Sequence, residues 1–211
     1  MTGNSELSLA LLDVRRAYRL LWSYQRRMLD MMCVIADAFE EHEFYVWEPS
    51  YFEPPCKRTR DPSKHWAWDM LPMVNMAYLC LPEGADRNHP KKGQWMLEIL
   101  LTSDSGFELS ETENEPDSKT FAPAENAEST LTLLAWQCTA DTDLNWHAKM
   151  WAAHDYPEGD DVLTDLDEMP FRVLSKTFEL STLADRNAVR AAVAQFQALV
   201  DEKMGIQTFS E

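Results

Sequence analysis

One apolar stripe near the N-terminus constrains this chain more than any other feature. Val14, Tyr18, Leu21, Met28, Met32, Ile35 and Phe39 recur at steps of three, four and seven residues. Side chains so spaced share one face of an α-helix. No proline falls between residues 7 and 42, and the nearest glycine is Gly3. The spacing therefore predicts one long helix over 7–42, with Ser5 or Ser8 as its N-cap. Arg15, Arg16, Arg19, Arg26 and Arg27 form a basic band in its first half, and Asp37, Glu40, Glu41 and Glu43 close its second. A helix dipole favours the opposite polarity. Tertiary packing, the acidic half of the chain or a partner must then support the helix.

Strands follow. FYVWEP (44–49) is aromatic and β-branched and stops at Pro49. Residues 50–65 are irregular, with Pro54, Pro55, Pro62 and the basic Lys57, Arg58, Arg60 and Lys64. Pro72 argues against a continuous central strand through 66–81, so 66–71 reads as extended or turn and 74–81 as a strand. Turn residues at 82–93 join it to a strand at 94–103, as a hairpin with a long tip. Further strands are expected at 130–140 and 171–181. Two acidic segments, 104–129 and 141–169, read as loops or insertions; the first is the candidate mobile loop, and the second holds a short helix near 143–156. The C-terminal helix has a capping pattern in Thr182 and Asp185, a stripe of Val189, Val193, Phe196, Val200 and Met204, and a stop at Gly205. This order predicts a single α+β domain over 1–211. Its sheet would be mostly antiparallel, with about five strands, and both helices would pack on one face.

Charge divides the chain. The net charge is −17 over 211 residues, and it splits into −2 for residues 1–101 and −15 for 102–211. Phosphate backbones need positive charge, so no nucleic-acid partner is expected. A basic or cationic protein surface would instead be steered toward such a field. The four cysteines, Cys33, Cys56, Cys80 and Cys138, show no CxxC spacing and read as small buried hydrophobes. No run of 18 apolar residues predicts a membrane span, and the N-terminus lacks a basic leader and cleavage site. A cytoplasmic protein is expected.

No phosphate-binding glycine loop, GxSxG elbow or HExxH motif occurs. What stands out is KHWAWDMLPM (64–73), where Trp66, Trp68 and Met70 alternate close to Trp47. Large rings and methionine suit a core; the same residue types are enriched at interfaces; and they could wall a ligand pocket. Asp143, His147 and His154 could in principle gather around a metal, but their spacing is poor for one, and neither metal nor cofactor is expected. Glu98 sits inside the apolar strand WMLEILL, either on a solvent face or buried with a raised pKa.

The leading expectation is a non-catalytic acidic interaction protein: inhibitor-, immunity- or antitoxin-like, or an assembly subunit. Trp66, Trp68, Met70 and Trp47 would anchor the partner, while Asp160, Asp161 and Asp165 supply charge. The alternative is an enzyme or small-ligand binder with an aromatic-lined pocket near 45–69, using Asp69, His65 and Glu98. A third reading is homo-oligomerisation through the long helix.

Overall fold

A computed structural model of the chain describes residues 3–50, 53–64, 70–71, 73–106 and 121–208, with side chains from Glu6 onward. It is an α+β fold: helix α1 (Gly3–Ala36), strands β1 (His42–Pro49), β2 (Asn75–Pro82), β3 (Trp95–Thr102), β4 (Thr130–Cys138), β5 (Thr164–Asp165) and β6 (Phe171–Glu179), and helix α2 (Arg186–Met204). The sheet has six strands in the order β1-β2-β3-β4-β6-β5, and every neighbouring pair is antiparallel. The sequence predicts about five. The extra strand is the two-residue β5, inside the segment 141–169 expected to be loop. Two residues lie below the length at which a period-two pattern can be read.

The helices obey the predicted stripes with three departures. Helix α1 begins at Gly3 and ends at Ala36, so Ser5 and Ser8 lie within it rather than capping it. Its end comes just before Asp37, Glu40 and Glu41, charges that a helix C-terminus repels. In α2 the cap is Asp185 alone, whose carboxylate accepts from Asn187 N at 2.8 Å and Ala188 N at 2.9 Å. Thr182 falls in the preceding 3-10 turn and donates to Glu179 O. Gly205 ends α2 in the left-handed region, at φ 66°.

Both faces of the sheet are buried. On the first, Met76, Cys80, Leu97, Ile99, Leu101, Leu131, Leu133 and Leu174 pack against Met28, Met32, Ile35 and Phe39 of the α1 region. From α2, Val189, Val193, Phe196, Val200 and Met204 join them, the whole predicted stripe. On the second face Leu79, Met96, Leu134, Trp136, Phe171 and Val173 meet Trp146 and Met150. The covering segment is not the short α-helix expected over 143–156. It is one π-turn, Trp146–Met150, capped by Asn145, then a 3-10 turn, Trp151–Ala153. Strands buried on both sides lose the polar–apolar alternation of a one-sided sheet, which is why β2, β3 and β4 read as nearly continuous apolar runs.

Cys80 and Cys138 are buried, whereas Cys33 is exposed on α1 and Cys56 is half-buried. The expectation of buried thiols therefore fails for Cys33, which points away from the buried α1 stripe. Burial pushes the Cys80 thiol up to about 12, making it a packing group rather than a nucleophile. Among the described residues no helix is long and apolar enough to cross a membrane. The proposed mobile loop lies mostly in 107–120, outside the described residues.

Burial separates the α1 residues into two energetic classes. Ile35→Ala removes a fully buried side chain and should cost about 2–5 kcal/mol. Leu20→Ala, at a strongly exposed site off the stripe, should stay within about 0.5 kcal/mol. Urea denaturation of the two variants checks the contrast.

Candidate functional site

Helix α1 is attached to the sheet along only part of its length. Tyr24 Oη donates to Ser103 Oγ at 2.7 Å, and Ser103 Oγ in turn donates to the Met73 carbonyl. One turn later, Arg27 Nη2 donates to the carbonyls of Leu183 and Ala184, both at 2.9 Å. From Met28 onward the stripe is buried. Before Tyr24 every described residue is exposed except the half-buried Leu12. Eighteen residues at 1.5 Å each make an arm of about 27 Å. On it Leu7, Leu11, Val14, Tyr18, Leu21 and Trp22 are exposed, Tyr18 at 72%. The stripe thus divides: Met28, Met32, Ile35 and Phe39 enter the core as expected, while Val14, Tyr18 and Leu21 stay exposed among the described residues.

Where the arm joins the body, an apolar trough opens between α1 and the edge strand β1. Leu29, Phe44, Trp47, Met73, Met76 and Tyr78 line about 360 Å³. Phe44 and Tyr78 rings lie 4.9 Å apart. The antiparallel register brings Trp47 opposite Tyr78 and Phe44 opposite Cys80, so both β1 aromatics look toward the α1 side. Trp47 is 41% exposed and Leu29 half-exposed. Leu29 is also eighteen residues, five full turns, beyond Leu11. The arm's stripe and the trough are therefore one continuous apolar surface. Desolvation, with smaller contributions from Cys80, Cys33 and Asp37, raises the Tyr78 hydroxyl pKa.

Of the other predicted anchors, Met70 is exposed. Trp66, Trp68, His65 and Asp69 lie outside the described residues. The acids lie elsewhere. Asp160 and Asp161 lie against β6 and Asp165 ends β5, on the far side of the sheet from Trp47; four to five strand spacings make that separation about 19–24 Å. Asp160 accepts from Thr177 N at 2.8 Å and Thr177 Oγ1 at 3.0 Å. Asp161, at φ 62°, pairs with Lys176 Nζ at 3.0 Å. These two carboxylates hold their loop onto β6. Asp165 stays exposed. The structure does not join the acidic and aromatic candidates into one site.

Glu98 is the polar surprise. It is 0% exposed, on the sheet face away from α1, and not on a solvent face. Trp136 Nε1 donates to Oε2 at 2.7 Å and Tyr156 Oη to Oε1 at 2.8 Å. The Trp151 indole N–H leans toward the same carboxylate and lowers its pKa, but falls short of hydrogen-bond geometry. Burial outweighs these donors and pushes Glu98 up to about 7. Beside it His147 stacks on Trp151 at 5.3 Å, with Nε2 2.5 Å from Glu48. His154 Nε2 meets Met169 Sδ instead, and Asp143 lies 3.9 Å from His89 Nε2, so Asp143, His147 and His154 each have other partners. Among the described residues no group of three or more His, Cys, Asp or Glu could hold a metal.

The arrangement is an antiparallel α+β fold with an apolar surface exposed among the described residues. The chain belongs to the PM0109 family, whose model matches residues 4–205. It is 27% identical over 198 residues to the uncharacterized protein PM0109 of Pasteurella multocida, covering 89% of this chain and 91% of that protein. No solved structure matches.

Sequence reasoning missed Phe44, Leu29 and the lower arm as surface. The signal was present in Leu9, Leu20 and Trp22, which lie off the main stripe and make the arm more apolar than one buried face requires.

A raised acid pKa stabilises the fold most below the unfolded value of 4.5, and that contribution is lost as pH rises through about 7. Half-buried His42, depressed to about 4 by desolvation, acts the other way, losing stability as pH falls from 6.5. A difference between variants cancels it. The unfolding free energy of wild type minus that of Glu98→Gln should fall by about 3 kcal/mol from about pH 4.5 to 7 and level off above. Parallel pH profiles would refute a buried titrating Glu98.

Proposed function

We propose that this is a non-catalytic interaction protein, and of the classes weighed from sequence, an assembly subunit. The observation that carries the reading is the continuous apolar surface of the α1 arm and the β1 trough. A monomer rarely leaves so large a contiguous apolar surface uncovered, and lasting partners have the more hydrophobic interfaces. Trp47 and Phe44 suit anchoring, being stiff rings at the mouth of a cavity. The partner surface that fits is basic as well as apolar, since Asp37, Glu40 and Glu41 are exposed just past the end of α1 and the chain carries −17 overall. The acids of 158–168, including Asp160, Asp161 and Asp165, lie too far from the trough for contact and act by steering.

An enzymatic reading has less support. Glu98 is wholly enclosed and cannot touch a substrate. The trough has the volume of a ligand pocket, but among its described lining residues only the Tyr78 hydroxyl and the Trp47 indole N–H can hydrogen-bond. The lining holds no charged group to fix a small polar molecule, and its apolar rings suit protein side chains better.

Capture of partners by the tagged full chain, at low and moderate salt, tests the reading. Wild type should retain a stoichiometric partner, untagged copies of this chain included. Phe44→Ser/Trp47→Ser should lose it while keeping its circular dichroism spectrum. Asp165→Asn should keep the partner but flatten the salt dependence of its association rate. A folded Phe44→Ser/Trp47→Ser variant that captures as wild type does would sink the proposal.

A further inference from the structure

The apolar surface described above comes in two halves, a projecting stripe and a receiving trough, and each chain carries both. We propose that the occupant of the trough is the α1 arm of a second copy, in a reciprocal, two-fold, antiparallel dimer. This pairing deepens the docking-surface reading and rests on it.

Three observations carry it. The first is the period. Leu7, Leu11, Val14, Tyr18, Leu21, Gln25, Met28, Met32 and Ile35 alternate steps of four and three without a slip. That repeat is the seam of helices packed side by side. The chain's own core takes the seam from Met28 onward and leaves its members before Tyr24, Leu7, Leu11, Val14, Tyr18 and Leu21, exposed. Gln25, its one polar member, stands where the arm leaves the body, and a lone polar seam residue fixes register between paired helices.

The second is self-complementarity. A two-fold interface puts the same patch of each copy to use twice. If the helices cross antiparallel near Tyr24 and Gln25, Tyr18, Leu21 and Trp22 of one copy lie over Leu29 of the other, at the trough. The symmetry operation then fills the first copy's trough in the same way.

The third is charge. Arg15, Arg16 and Arg19 are exposed on the arm, and Asp37, Glu40 and Glu41 follow the end of α1. Within one helix this polarity opposes the dipole. Across an antiparallel crossing it becomes complementary: Arg15 and Arg16 come within about one turn, ~5 Å, of Asp37 of the second copy. The general repulsion between two chains of −17 acts over longer range and is screened beyond roughly 8–10 Å at physiological salt. Local complementarity then decides.

Sedimentation velocity on the full chain at micromolar concentration tests the pairing. Wild type should be a dimer. Leu21→Glu should shift it to monomer with helicity intact, and Leu20→Ala, off the stripe, should leave it dimeric. Charge reversal gives the decisive comparison. Arg15→Glu/Arg16→Glu and Asp37→Arg/Glu41→Arg should each weaken self-association by about tenfold or more, and a chain carrying all four changes should recover it. Recovery distinguishes self-pairing from general electrostatics, because only a copy-to-copy contact restores both sides together. A monomeric wild type overturns the dimer, as does a dimer indifferent to Leu21→Glu and to both charge reversals. In either case the capture experiment still decides separately whether Phe44 and Trp47 dock a different protein. Flotation of wild type, but not Leu21→Glu, with vesicles would assign the stripe to a lipid surface and overturn the pairing too.

Discussion

The central strands are apolar on both sides, and the rest of the molecule is organised around covering them. One face offers Leu97, Ile99 and Leu101 to the helices, and the other offers Leu79, Met96 and Trp136 to the segment after β4. Burying a Leu or Met side chain is worth about 1.5–3 kcal/mol, so leaving either face wet would cost more than a domain's usual net stability. The helices can cover only one side. An irregular, acidic piece of chain must therefore cover the other, and its apolar residues, Trp146, Met150, Trp151 and Met169, are spaced for that task rather than for an α-helix.

Glu98 belongs to that second cover. A carboxyl group in a dry layer needs partners, and those here come from the segment laid over it: Tyr156 directly, Trp151 close by, with Trp136 from the neighbouring strand. The hydrogen bonds fix where an otherwise irregular segment lands. A hydrophobic residue at this position could fill the volume but would not select which turn of 146–156 sits above β3. The protein resembles in this respect a core whose one polar group serves register more than net stability.

Much of this was legible in the sequence. The α2 stripe, the five longer strands and the antiparallel hairpin all follow from periodicity and turn residues, because each is a local pattern. The sequence does not reveal which apolar residues lack a partner. Met32 and Tyr18 stand on the same stripe, and only the tertiary attachment at Tyr24 and Arg27 separates a core position from an exposed one. Nor does it reveal that Glu98 is enclosed, since the roof above it is distant in the chain and lacks a regular period. The acids at 160, 161 and 165 looked like an available charge cluster, yet Asp160 and Asp161 are engaged by Thr177 and Lys176, contacts between segments that no spacing announces.

The attachment at Tyr24 also divides α1 into two regions of different local stability. Below it, opening the helix means breaking the core, at the full cost of unfolding. Above it the described residues Glu6–Ser23 are exposed but for half-buried Leu12, so this stretch lacks the tertiary packing from which most helical stability in proteins comes. The arm can therefore fray from Gly3 toward Tyr24 without disturbing the sheet, so its amides should exchange far faster than those of Met28–Ala36. Whatever lies along the stripe would then govern how much of α1 is helical at any moment, tying the order of the arm to its occupancy.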